Sequence, residues 1–204
     1  MGSGAALAAA ALQACGLGRN TGPGPAAPGS AARDGTRAMT PTPACATEAD
    51  SQPTAAQTEG PYFTPDSPER SNFREDGAES VPLVVSGLVY STDCRPVPDA
   101  LIDVWHADAA GEYDNRGYRM RGHFFTDAEG RYRLETIVPG QYPGRTRHLH
   151  VKVQAPRGRV LTTQLYFPDE PANSRDRIFH PELTMAVSDS PGGKQAEFNF
   201  VVQA

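Results

Sequence analysis

His148-Leu149-His150-Val151-Lys152-Val153 alternates polar and apolar residues, the period-2 pattern of a β-strand with two unlike faces. In a strand, residues i and i+2 point the same way, so Leu149, Val151 and Val153 share one side. His148 and His150 then aim two imidazoles at one point on the other. That is chelating geometry, and imidazole suits zinc, copper, iron and nickel.

Outward from this strand, the chain beyond Val81 reads as short apolar runs divided by turn signals. The candidate strands are Leu83 to Tyr90, Ala100 to His106, Gly122 to Thr126, Tyr132 to Val138, Arg147 to Gln154, Val160 to Phe167 and Ala196 to Val202. Alternation is clearest near the end of the chain, where polar Gln195, Glu197 and Asn199 interleave with apolar Ala196, Phe198 and Phe200. Asp127-Ala128-Glu129-Gly130 reads as a hairpin connection, and Pro139-Gly140 stops a strand. Long helical periodicity is absent; Pro171 to Ile178 is expected to hold at most short helical turns capped by Asn173 or Ser174. The expected fold is all-β, an antiparallel β-sandwich of about seven to eight strands whose loops carry the chemistry.

The 204 residues suffice for one sizeable core and leave little for a second. With Lys+Arg 19 against Asp+Glu 24 and a net charge of -5, there is no electrostatic footprint for nucleic acid. A small or uncharged partner is expected, and no apolar run is long enough to span a bilayer. Residues 1–57 are mostly Ala, Gly, Pro, Thr and Ser, too poor in large apolar side chains to offset the entropy of ordering them. They are expected to form a disordered leader ahead of a folded domain at 58–204. Within the leader, Leu12-Gln13-Ala14-Cys15-Gly16 looks like the end of a bacterial secretory segment with a lipoprotein-type cysteine, although the first Arg is Arg19 and the basic start is missing. Export to the cell envelope or beyond, with a lipid anchor at Cys15, is the expectation. Cys45 and Cys94 flank the start of the folded part; they form a disulfide in an oxidising compartment or remain two free thiols.

Two imidazoles need further ligands. The cysteines are badly placed, whereas Asp103, Asp108, Glu112 and Asp114 offer a 2-His-1-carboxylate iron site or a zinc site. The tyrosines are better arranged. Tyr142 stands six residues before His148 in a loop with Gly140, Pro143 and Gly144, and Tyr113 lies just beyond Leu101 to Trp105, with Tyr118 as its nearby rival. Phenolate is a hard anionic donor, and a trivalent ion lowers the pKa of a bound phenol far below its free value of about 10. Two tyrosinates with two imidazoles therefore predict Fe(III), one non-heme ion per chain, rather than zinc.

At this point the chain resembles the intradiol ring-cleavage dioxygenases, the family of catechol 1,2-dioxygenase and protocatechuate 3,4-dioxygenase. The resemblance runs through Thr58-Glu59-Gly60-Pro61-Tyr62-Phe63, Asp99 to Tyr113, Arg121-Gly122, Thr126-Asp127, Pro139-Gly140-Gln141-Tyr142, the two histidines and Thr163 to Phe167, in that order. It implies a β-sandwich that cleaves a catechol with O2 between its two hydroxyl-bearing carbons, giving a muconate-type diacid. It also implies that Tyr113 and His150 are equatorial iron ligands and Tyr142 and His148 axial ones. By the same resemblance Arg145, with Arg147 as second candidate, stabilises charge on the substrate and Gln164 orients it. The six-residue step from Tyr142 to His148 is shorter than in the well-known members, and looks like the secreted, single-domain branch. A non-catalytic binding module on the same scaffold is the rival reading; it predicts that ligand positions are lost, and all four are filled. A zinc hydrolase would need a general base beside the histidines. His106, His123 and His180 are read as structural or exposed and Trp105 as core packing, while Tyr62 either approaches the site or anchors the leader.

Overall fold

Short β-branched and aromatic runs cut by Gly, Pro and Asp form nine strands in the computed structural model, which describes residues 51–75 and 80–204. They are β1 Pro82–Ser91, β2 Leu101–Trp105, β3 Arg121–Phe125, β4 Arg131–Ile137, β5 His148–Gln154, β6 Val160–Tyr166, β7 Ala186–Ser190, β8 Gly193–Glu197 and β9 Phe200–Val202. One sheet has the order β4-β1-β8-β7, with β9 also on β1; the other has the order β3-β2-β5-β6. Val85, Leu134 and Phe200 of the first sheet meet Ile102, Val104, Leu149, Val151 and Leu165 of the second. The sandwich is as expected, and six of the seven anticipated strands appear with ends shifted by a residue or so.

Three features differ from the expectation. The first sheet is mixed rather than antiparallel, because β8 and β9 run parallel to β1 while β4 runs antiparallel to it. Strand direction is set by which distant segment returns beside β1, and no local pattern encodes that. Strand β7 was not anticipated: four of the side chains in Ala186-Val187-Ser188-Asp189-Ser190 are polar or small, as suits a largely solvent-facing edge with no apolar alternation to display. The strand expected at Ala196 to Val202 is interrupted at Phe198-Asn199, where the Asn199 side-chain oxygen accepts the Leu88 N–H in place of a ladder partner. Between Pro171 and Ile178 there are turns but no helix, and Asn173 caps nothing: its side chain binds Thr146 and the Phe167 carbonyl.

Residues 1–50 of the expected leader, with Cys15 and Cys45, lie outside the described residues. Its last part, 51–57, is described and is no free tail. The Thr54 N–H donates to Val201 of β9 and the Gln57 N–H to Thr162 of β6, so this segment covers an edge strand and ties one sheet to the other. Backbone hydrogen bonds, not apolar side chains, hold this segment. Cys94 is disulfide-bonded.

Leu134 is 2% exposed in the centre of the sandwich. Truncation to Ala should cost about 2–5 kcal/mol of unfolding free energy, since the rigid sheets close only partly over the void. Urea unfolding at unchanged m-value would show it, and a loss below about 1 kcal/mol would mean that the site is not close-packed.

Candidate metal centre

Strand β5 is buried on both faces at once. Leu149 and Val151 point into the sandwich, and His148 and His150, on the outside, are only 4% and 3% exposed. The outer cover is built from particular neighbours. Trp105 lies level with His150 across the β2–β5 ladder and is stacked flat on its imidazole, centroids 4.9 Å apart at 6°. Trp105 thus packs on the outer face rather than in the sandwich core, since residues paired across a ladder project to the same side. Gly60, at φ +72, lies so close that a Cβ would stand 3.2 Å from His150 Cε1. Glycine is required there both for the left-handed backbone and for the close approach.

The proton positions follow from the partners. His148 Nδ1 is 2.7 Å from the Thr146 carbonyl, which can only accept, so Nδ1 carries the proton and Nε2 is left with a bare lone pair. That Nε2 stands 3.1 Å from His150 Nε2 and 3.2 Å from the Tyr113 hydroxyl. Burial lowers the His148 pKa to about 4, against the opposing hydrogen bond to Thr146. Burial first, and His148 second, lower His150 to about 2. Both rings are therefore neutral near pH 7. Burial also raises the Tyr113 phenol, with Arg145 and Arg121 pulling the other way.

Tyr142 closes the group. Its ring meets Tyr113 edge-on at 5.7 Å, and its hydroxyl is 2.6 Å from that of Tyr62, which itself stacks on Tyr113 at 4.5 Å. Tyr62, unassigned from sequence, belongs to the site. Tyr118 instead faces outward, its hydroxyl donating to the Pro65 carbonyl.

Three of the four candidate carboxylates have other employment, and the fourth, Glu112, is exposed. Asp103 accepts from Ser67, Asp108 pairs with Arg119, and Asp114 accepts the N–H groups of Arg116, Gly117 and Arg119. Among the described residues no three His, Cys, Asp or Glu side chains cluster as a metal site, and the group that stands beside the His148 imidazole is the Tyr113 phenol. The donor set fits a hard trivalent ion. Ligands about 2 Å from one ion stand about 3 Å apart, as the Tyr113 oxygen and the His150 Nε2 each do from His148 Nε2.

Arg145 reaches over this group. Its Nη2 donates to Gln164 Oε1 at 2.6 Å and its Nε to Asp176 Oδ2 at 2.8 Å, and its charge lowers the pKa of His148, His150 and Tyr113 alike. Gln164 is fully buried, donating to the Thr58 carbonyl while its Oε1 accepts from Arg145 and Tyr166. Arg147 turns elsewhere, to the Pro139 carbonyl and Glu170. Arg121, buried at 1% exposure, ties the two tyrosine loops together by donating to the carbonyls of Asp114 and Tyr62. His106 and His123 are structural as expected, the first held between Ala107 and Thr136, the second against Ser67.

A family model described as "Dioxygenase" matches residues 58–203. The chain belongs to the intradiol ring-cleavage dioxygenase family. It is 31% identical to hydroxyquinol 1,2-dioxygenase of Nocardioides simplex over 74% of this chain and 62% of that one. It is 37% identical to the protocatechuate 3,4-dioxygenase beta chain of Burkholderia cepacia over 48% and 49%. The chain spans about half the length of the curated relatives it matches. Among solved structures, the dioxygenase domain of a dioxygenase carbohydrate-binding protein fusion from Streptomyces sp. SirexAA-E is 52% identical with a TM-score of 0.74, covering 75% of this chain and 99% of that one. The 3-chlorocatechol 1,2-dioxygenase of Rhodococcus opacus 1CP is 30% identical with a TM-score of 0.69, over 74% and 72%.

Two outcomes are expected of this intradiol dioxygenase site. Gly60→Ala should press on the His150 ring and weaken metal binding about 10- to 100-fold, the range seen when the support of a ligand is disturbed; titration of the metal-free protein checks it, and unchanged affinity would mean the segment yields. The second concerns acid. His106 and His148 are lowered to about 4 and His150 further, from 6.5, so between those values the unfolded chain binds more protons and stability rises with pH. The thermal midpoint of metal-free protein should fall steadily from pH 7 to pH 5, and a flat profile would contradict the burial of neutral rings.

Proposed function

We propose that this chain is a non-heme Fe(III)-dependent dioxygenase that uses O2 to cleave a catechol-type ring between its hydroxyl-bearing carbons, yielding a muconate-type diacid. The observation that carries this reading is the convergence on His148 Nε2 of the His150 Nε2 at 3.1 Å and the Tyr113 hydroxyl at 3.2 Å, with Tyr142 closing the group. Tyr113, Tyr142, His148 and His150 would hold the ion. Bound there, Fe(III) supplies Lewis acidity and a template for the two catechol oxygens. The relatives named above act on hydroxyquinol, protocatechuate and chlorocatechol by their names, which supports a catecholic diol as substrate class.

The remaining roles fall to the chain's own side chains. Tyr142 is the ligand suited to give way to substrate, because its oxygen has a second partner ready in the Tyr62 hydroxyl. In that role its oxygen would accept a proton from an incoming catechol hydroxyl, and the Tyr62 hydroxyl would hold it by a hydrogen bond. Arg145 places a fixed positive charge where negative charge develops on the ring oxygens, and electrostatic groups held in place before reaction act without reorganising. Gln164 and Asp176 fix that guanidinium. Trp105 stacked on one face and Gly60 close to Cε1 exclude water from His150.

Iron-loaded protein should be red to purple from tyrosinate-to-iron charge transfer and should consume O2 when a catechol is added. Tyr142→Phe should weaken the absorption band and slow turnover about 100-fold or more, as for loss of a general base. A colourless preparation that takes up no iron and shows no catechol-dependent O2 uptake would overturn the proposal. A comparison of catechol, protocatechuate, hydroxyquinol and chlorinated catechols then ranks the ring substituents.

A further inference from the structure

Residues 170–176 follow β6 and turn back across the loop that enters β5. Three of their side chains, spaced three residues apart, engage three consecutive residues of that loop in reverse order. Glu170 pairs with Arg147 at 2.9 Å, Asn173 Oδ1 accepts from the Thr146 hydroxyl at 2.6 Å, and Asp176 Oδ2 accepts from Arg145 Nε at 2.8 Å. The turn bonds Asn173 N–H to Glu170 and Asp176 N–H to Ala172 set this spacing, and the Asn173 amide anchors the segment to the Phe167 carbonyl at the end of β6.

Asp176 does more than pair with a charge. Its side chain is 2% exposed, and the oxygen that takes Arg145 Nε also accepts the Thr146 backbone N–H at 2.9 Å, while its other oxygen accepts the Ile178 N–H at 3.1 Å. Thr146 in turn offers its carbonyl to His148 Nδ1. One carboxylate thus fixes both the guanidinium and the peptide that sets the His148 ring. The Arg145 fork is held on two sides, Nε by Asp176 and Nη2 by Gln164, and Nη1 has no partner among the described residues. A long side chain held this way has lost its rotamer freedom before substrate arrives.

We propose that Asp176 is the positioning residue for Arg145, acting on catalysis through the direction in which it holds that guanidinium; retained iron content and colour separate this from its hold on the Thr146 peptide beside His148. The proposal rests on the dioxygenase reading given above. A misplacement of about 1 Å in an electrostatic group can cost on the order of 100-fold in rate. Asp176→Asn should therefore lower kcat/KM about 10- to 100-fold while iron content and charge-transfer colour are retained.

The decisive arrangement is a double-mutant cycle in the full, iron-loaded chain, comparing Asp176→Asn, Arg145→Ala and the double variant in steady-state O2 uptake. The double variant should be no slower than Arg145→Ala alone; losses that multiply independently would overturn the proposal. If Asp176→Asn does not fold, Asp176→Glu takes its place in the same cycle. A second measurement needs no turnover: by NMR of metal-free protein, the Arg145 Nε–H should exchange slowly with solvent and become fast in the Asp176 variant. Unchanged exchange would overturn the clamp even in an active enzyme. Inactive wild-type protein would instead sink the dioxygenase reading, leaving the exchange result to decide the clamp.

Discussion

Everything in the site depends on β5 being dry on both faces. A sandwich strand ordinarily turns one face to water, and polar residues there are satisfied by solvent. Here the outer face carries two imidazoles that are buried and neutral, the His148 ring turning a proton-free Nε2 toward its neighbours. Burying polar rings is costly unless partners replace water, so the fold surrounds them with aromatic surface, a glycine pressed on one ring and a backbone carbonyl that takes the His148 proton. The same burial that destabilises their charged forms leaves lone pairs free to bind a cation.

The supports around this centre are mostly long-range. Arg121 links the Tyr62 and Asp114 carbonyls, so two loops that carry tyrosines share one buried cation. Gln164 on β6 joins Thr58 to Arg145. Lys152, one row along the outer face from His150, lies 3.4 Å from the centre of the Phe63 ring and pairs with Glu59, pinning the segment that holds Gly60 and Tyr62. A charge over an aromatic face gains about 1 kcal/mol at a partly exposed site, which matters less as stability than as placement. The candidate site thus sits on a sheet face roofed by a segment from before β1 and flanked by one from after β6.

The fold was legible where local pattern and burial coincide. Period-2 runs such as those in β1, β4 and β5 face a core on one side, so their alternation announces them. β7 was illegible because an edge strand facing solvent has no apolar side to reveal, and the parallel pairing of β8 and β9 with β1 because strand direction is a property of the returning chain. Trp105 was misplaced for a related reason: buried aromatic character does not say which of a sheet's two faces is meant.

For the site, the sequence by itself offered the candidate donors. His148 and His150 lie two apart on one strand, Tyr142 is six residues upstream, and covalent spacing alone keeps them near one another. Only tertiary structure decided the rest. Tyr62 lies 80 residues from Tyr142 and Asp176 31 residues from Arg145, and no periodicity relates such distant side chains. Nor does spacing choose among Tyr113, the carboxylates and Arg147; the choice is made by which of them the folded loops leave free to face the imidazoles, and Asp103, Asp108, Asp114 and Arg147 are each already held by other partners.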